Sequence, residues 1–177
     1  MNPLPLLSVT GGAWLLLVDA EPQAVAEAAA RWSDTGLVVR VLRGQKMRTW
    51  QGLFDETAAA LQFPWYFGEN LDALFDCITD LDWLPRAAGY VLVINHPDEV
   101  LADAGPGALH QFATLLGAAR EQWTTPVEQG ESWDRPAVPF HVVMHATSNA
   151  TAATHLWTAA GGTVVPFPSD DESTDRG

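Results

Sequence analysis

The sequence predicts an α/β protein in which a small, mostly parallel sheet is packed with helices, and three observations predict it. Apolar runs rich in Val, Leu and Ile are short and bounded by turn residues: Ala13–Val18, Leu37–Leu42, Tyr90–Asn95, Val138–His145 and Thr163–Phe167. Segments of helical period separate them: Glu21–Ser33, Thr49–Leu61, Asn70–Leu81, Ala108–Trp123 and Ala150–Ala159. The strands are continuous rather than alternating, which indicates burial on both faces by flanking helices. With 177 residues and 47% hydrophobic content, the chain can form one domain with a sizeable core.

Each element has a local reason. Ala13–Val18 is too short for a signal core or a membrane span, and no basic region precedes it, so residence in the cytoplasm is the expectation. Pro22 suits the first turn of a helix, and Thr35-Gly36 ends that helix. The connection from Leu42 to Tyr90 carries two helices instead of one. Thr124 to Ala137 is a polar insertion containing Pro126, Gly130 and Pro136, and such loops are more often functional or mobile than neutral. Trp133 in this loop either extends a binding surface or packs the loop down. Gly161-Gly162 closes the last helix. The tail Ser169–Gly177 holds four acids and one base and reads as disordered, solvating sequence.

Net charge is −13, which makes nucleic acid and anionic membranes poor partners and a cationic protein surface a good one. The acidity is concentrated. No Lys, Arg or His lies between Arg48 and Arg86, whereas seven carboxylates do: Asp55, Glu56, Glu69, Asp72, Asp76, Asp80 and Asp82. At about 100° per residue, Leu71, Leu74, Phe75, Ile78 and Leu81 form one stripe suited to the core. Asp72, Asp76 and Asp80 form a row on the other side, with Glu69 near its end. Like charges at this spacing repel by about 0.2–0.5 kcal/mol per pair. Asp72, in the first turn, recovers part of that from the helix dipole; Asp76 and Asp80 do not. A row of this kind is either a solvated helix face or a surface that occupies a site built for phosphates.

Other constellations read as structural. Cys77 is the single cysteine, so no intrachain disulfide forms, and its acidic neighbours disfavour a reactive thiolate. His96, His141 and His145 lack the convergent spacing of a zinc site. Asp72 and Asp76 alone do not make a catalytic pair, since the sequence supplies neither a nucleophile nor a glycine-rich phosphate loop. No metal, no cofactor and no enzymatic activity are expected. In the aromatic loop, Trp65 and Phe67 read as core, and Tyr66 as either core or an interface anchor.

The stretch Pro64-Trp-Tyr-Phe-Gly-Glu-Asn-Leu-Asp-Ala-Leu-Phe-Asp-Cys-Ile-Thr79 resembles the barstar family, intracellular inhibitors of barnase-type ribonucleases. The family pattern is a proline and an aromatic pair, then Gly-Glu-Asn-Leu-Asp-Ala-Leu-aromatic-Asp-Cys-Leu-Thr. The resemblance implies a barstar-like core over residues 37–147. A strand–helix extension (1–36) would pack on the same domain, with a helix–strand extension (148–168) and the tail (169–177) following. It also implies stoichiometric inhibition of a small basic ribonuclease, with the acidic helix mimicking RNA phosphate. Asp76 takes the central carboxylate's place, Asp72 a flanking one, and Tyr66 the loop aromatic, while Gly68 and Asn70 shape the loop and the helix start. Glu69 and Asp80 extend the acidic surface, and Glu121 matches a further acidic contact. Trp83 either replaces an aromatic contact from a shifted position or is core. Trp65 stands where the family carries a charge, which leaves the target open. The alternatives are a module that regulates a different cationic protein and a metal-dependent enzyme using Asp72 and Asp76.

Overall fold

A computed structural model describes residues 4–147 and 149–167. Five strands, β1 (Leu15–Asp19), β2 (Leu37–Arg43), β3 (Gly89–Asn95), β4 (Phe140–Ala146) and β5 (Val164–Pro166), form one sheet in the order β2-β3-β4-β1-β5. Every pairing is parallel. The helices are α1 (Leu4–Leu7), α2 (Pro22–Ser33), α3 (Trp50–Leu61), α4 (Leu71–Asp80), α5 (Ala108–Thr124) and α6 (Ala150–Ala159). All five predicted strands and all five predicted helices form. α1 is additional, and four residues are too few to show a helical period.

Chain direction across the sheet dictates two layers of helix. The step from β1 to β2 runs one way, and the steps β2 to β3 to β4 to β5 run back. Right-handed crossovers therefore place α2 on one face and α3–α6 on the other. The buried residues divide accordingly. Val25, Ala28 and Trp32 of α2 join Leu7, Leu16, Val91, Val93 and Val143 in one cluster. Leu53, Leu74, Ile78, Phe112, Leu116 and Trp157 join Leu42, Leu92, Ile94, Val142 and Met144 in the other.

Residues before 37 and after 147 enter the same sheet. β1 pairs along its whole length with β4, from Leu15 opposite Val142 to Asp19 opposite Ala146. β5 then pairs with the free side of β1. Side chains reinforce the seam: a His145 ring nitrogen lies 2.8 Å from the Ala20 carbonyl, and Arg120 donates to the Thr10 carbonyl at 3.2 Å. The acidic tail after residue 168 lies outside the described residues.

His141 gives the seam a pH dependence. Its Nε2 meets the Val9 carbonyl at 3.1 Å, and its buried Nδ1 makes no hydrogen bond of ordinary geometry among the described residues. Burial pushes the imidazole below its ordinary value, helped by nearby Arg120. The unfolded chain takes up this proton near pH 6.5 while the folded chain resists it, so stability falls as pH drops below that value. The expected result is a lower urea midpoint at pH 5 than at pH 8, with a smaller difference in His141→Leu. An unchanged difference in the variant would exclude His141 as the cause.

The insertion between α5 and β4 is folded back on the helix. Arg135 lies 4.5 Å from the centroid of the Trp123 ring and donates to the carbonyls of Gln122, Trp123 and Thr125. These are carbonyls of the end of α5, which a cation is suited to satisfy. Asp134 accepts from the backbone of Gln129 and Gly130, which holds its carboxyl below the usual range. Trp133 is exposed, so Arg135 packing on Trp123 is what fastens the loop.

Candidate protein-binding face

α4 is fixed at both ends. Asn70 caps its start: the Oδ1 accepts from the Ala73 N–H at 2.9 Å, and the Nδ2 donates to the Gly68 carbonyl at 3.0 Å. One amide thereby satisfies a helix end and closes the preceding loop. Asn70→Ala is expected to cost about 1 kcal/mol, lowering Tm by about 2–4 °C in a thermal melt. No shift in Tm would show that the cap is dispensable. At the other end Leu81 adopts φ 52° with its side chain buried, and the Trp123 indole N–H donates to the Ile78 carbonyl at 2.8 Å.

Between these ends Leu74, Cys77 and Ile78 are buried, while Leu71 and Phe75 are half-buried. The apolar stripe is thus fully covered at Leu74 and Ile78 and left partly open at Leu71 and Phe75. Leu71 and Phe75 instead line a shallow groove against Thr114, Leu115 and Ala118 of α5, with Asp72 and His110 also on its walls. Asp72, Asp76 and Asp80 are all exposed in their row. Neither Asp72 nor Asp76 pairs with a cation among the described residues. Partial burial, then the adjacent Asp82 carboxylate, push Asp80 up from its ordinary value. Burial, then Asp76 and Asp80, push the Cys77 thiol up, so it stays protonated and unreactive.

The acidic surface departs from the seven-carboxylate reading at Glu56 and gains a link at Gln51. Glu56 is not part of it. Its side chain is buried and takes three hydrogen bonds from Arg43, from the backbone N–H, Nε and Nη2, at 2.7–2.9 Å. That hydrogen bonding holds Glu56 below the usual carboxylate range and ties β2 to α3. Asp55, in contrast, does join the surface through a residue that sequence reasoning missed. The Gln51 Nε2 donates to Asp55 at 3.0 Å and to Glu69 at 2.9 Å, spanning α3 and the loop before α4. The four-residue spacing of Gln51 and Asp55 was a visible signal; the approach of Glu69, eighteen residues away, was not. Glu69 sits at φ 48°, a left-handed conformation uncommon for this residue type.

The aromatic loop corrects a second expectation. Trp65 is 96% exposed and Tyr66 66% exposed, so Trp65 is not core. Phe63 and Phe67 are the inserted residues, packing edge-on with centroids 5.0 Å apart. Trp83 is half-buried against Phe63, and its indole N–H donates to the Leu61 carbonyl at 2.9 Å. Gly68 is exposed in the loop. Glu121 is exposed on α5, and its carboxylate pairs with no side chain among the described residues. Nor do any three His, Cys, Asp or Glu side chains converge as metal ligands among those residues. No helix of the described residues is long and apolar enough to cross a membrane.

These features define an α/β protein with a parallel sheet that displays a carboxylate-bearing helix and an aromatic turn on one face. A family model described as "Barstar (barnase inhibitor)" matches residues 37–145, well over half of the chain, and the chain belongs to that family. The matched region runs from β2 through β4, and β1, β5, α2 and α6 lie outside it. Among solved structures, the chain is similar to the Aeropyrum pernix ORC2 protein in its ADPNP-ADP complexes. There the TM-score is 0.59 at 12% identity, covering 94% of this chain and 45% of that one. The ADP form of the same protein gives a TM-score of 0.57 at 13% identity, covering 92% and 44%. This chain therefore spans less than half of those proteins, and at such identity the likeness concerns the fold alone. The turn after β1 here reads Asp19-Ala20-Glu21-Pro22, and the sequence contains no Gly-Lys pair of the kind a phosphate-binding P-loop requires.

Proposed function

We propose that this chain is a stoichiometric inhibitor of a small basic ribonuclease. It would set the acidic face of α4 in the enzyme's RNA-binding cleft, where its carboxylates stand in for substrate phosphates. The observation that carries this reading is the exposed row Asp72, Asp76, Asp80 on a capped helix, with no salt bridge to a cation among the described residues. Family membership supports it, since the family is described by barnase inhibition.

The physical logic is that of opposed charge. A ribonuclease gathers Lys, Arg and His around an anionic substrate, and fixed carboxylates pair with them while offering no bond to cleave. Opposed fields also accelerate encounter, and this contribution weakens with salt. Asp76 occupies the middle of the row, Asp72 and Glu69 flank it, and Tyr66 supplies an apolar contact. The Gln51 bridge keeps Asp55 and Glu69 in place despite their like charge.

The deciding experiment titrates a barnase-type ribonuclease with the purified full chain at low and moderate salt. One-to-one inhibition that weakens as salt rises is expected. Salt-sensitive binding without any effect on RNA cleavage would replace the reading with that of a regulator of another cationic protein.

A further inference from the structure

We infer that Trp65 is a specificity-determining anchor, and that the partner of the acidic face carries an apolar recess bordered by Lys or Arg side chains. This rests on the inhibitory reading above and adds a requirement on the shape of the target.

The loop is constructed to project this ring. The Phe67 N–H donates to the Pro64 carbonyl at 3.0 Å, closing a turn with Trp65 and Tyr66 at its centre. Both ends of the turn are pinned: Phe67 packs edge-on against Phe54 at 6.0 Å, and Phe63 against Trp83 at 6.1 Å. With the ends fixed inward, the central pair is forced out. Trp65 and Tyr66 touch each other edge-on at 5.9 Å, and of the eight tryptophans Trp65 is the most exposed, at 96%. An indole held by a short turn loses little freedom when a partner covers it, which favours binding.

Position narrows the partner. The turn runs directly into Glu69, whose carboxylate is held by Gln51, and then into the Asn70 cap of α4. The knob and the carboxylates therefore form one preset surface. A ring in water needs an apolar recess, and carboxylates beside it need cations around that recess. Nucleic acid and anionic lipid are repelled by a chain of net charge −13. A flat cationic surface leaves the indole uncovered. A protein cleft with an apolar floor and a basic rim satisfies both groups.

The test compares wild type, Trp65→Ala, Trp65→Phe and Asp76→Ala for association and dissociation rates with a barnase-type ribonuclease at two salt concentrations. Trp65→Ala should speed dissociation by at least about 30-fold, with association and its salt dependence nearly unchanged. Trp65→Phe should restore much of the loss. The ring has almost no buried contact in the free chain, so the melting temperature should hold. Tight binding by wild type that Trp65→Ala leaves within twofold overturns the anchor while keeping the inhibitory reading. No binding by wild type overturns that reading, and the anchor falls with it. Binding of wild type to phosphatidylcholine vesicles, lost in Trp65→Ala, overturns the protein recess in favour of a lipid surface.

Discussion

Asp76→Ala is expected to abolish most of the inhibition while leaving the fold as stable as before, or slightly more so. The two effects have opposite signs because they come from different states of the molecule. In the free chain Asp76 is exposed, pairs with no cation among the described residues, and lies one helical turn from both Asp72 and Asp80. Removing it relieves two like-charge pairs at about 0.2–0.5 kcal/mol each. In the proposed complex the same carboxylate would meet the enzyme's cations in a site closed to water. Truncating one member of such a buried pair costs about 2–5 kcal/mol, a range for which a barstar-family complex is itself a reference case. That corresponds to a loss of about 30- to 5,000-fold in affinity. The control is Glu27→Ala, an exposed acid on α2 across the sheet. Asp55 does not serve, because Gln51 links it to Glu69 within the candidate surface. Parallel titrations of inhibition with thermal melts decide the matter. Comparable losses from Asp76→Ala and Glu27→Ala would mean that only net charge counts and that the row is a solvated face.

What the sequence made legible was set by the range over which each determinant acts. Strand and helix positions follow from local periodicity and turn residues, so the elements fell within a few residues of their observed bounds. The Asp72, Asp76, Asp80 row is a property of one helix and was equally visible. Judgements that depend on the far end of a contact were not. Glu56 looks like its acidic neighbours until β2 brings Arg43 against it, thirteen residues back along the chain. Trp65 resembles the aromatics around it, and only the closure of the turn shows that Phe63 and Phe67 take the inward, half-buried places. Gln51 carries no charge and belongs to no motif, yet it joins two elements of the surface. Sheet order is the extreme case. Nothing local to β1 says that it lies between β4 and β5, and that position makes the segment before residue 37 part of the fold.

A chain starting at residue 37 is accordingly expected to lose cooperative folding, even though it retains the whole of the family match. Without residues 1–36, the sheet face opposite α3–α6 has no cover. Leu37, Val91, Val93 and Val143, buried in the full chain against Leu16, Val25, Ala28 and Trp32, would face water. His141 and His145 would lose their carbonyl partners at Val9 and Ala20. β4 would become a bare edge, and β5 would have no strand to pair with, since β1 is its neighbour in the sheet. An uncovered apolar face beside an open parallel edge favours aggregation over a smaller native state. A point substitution gives the same argument in graded form. Trp32 is buried at the centre of that layer, with its ring 5.6 Å from Phe167. Trp32→Ala should cost about 3–5 kcal/mol by loss of transfer energy and creation of a cavity. At about 2–4 °C per kcal/mol for a domain of this size, Tm should drop by roughly 6–20 °C. Because Trp32 lies across the sheet from α4, the molecules that remain folded should inhibit with unchanged affinity. Urea melts of both variants, with sedimentation of the shortened chain, test the claim. A monomeric chain starting at residue 37 and melting near the full-length temperature would show that β1 and α2 are an appendage to a self-sufficient core, and would remove the structural reason for their place in the sheet.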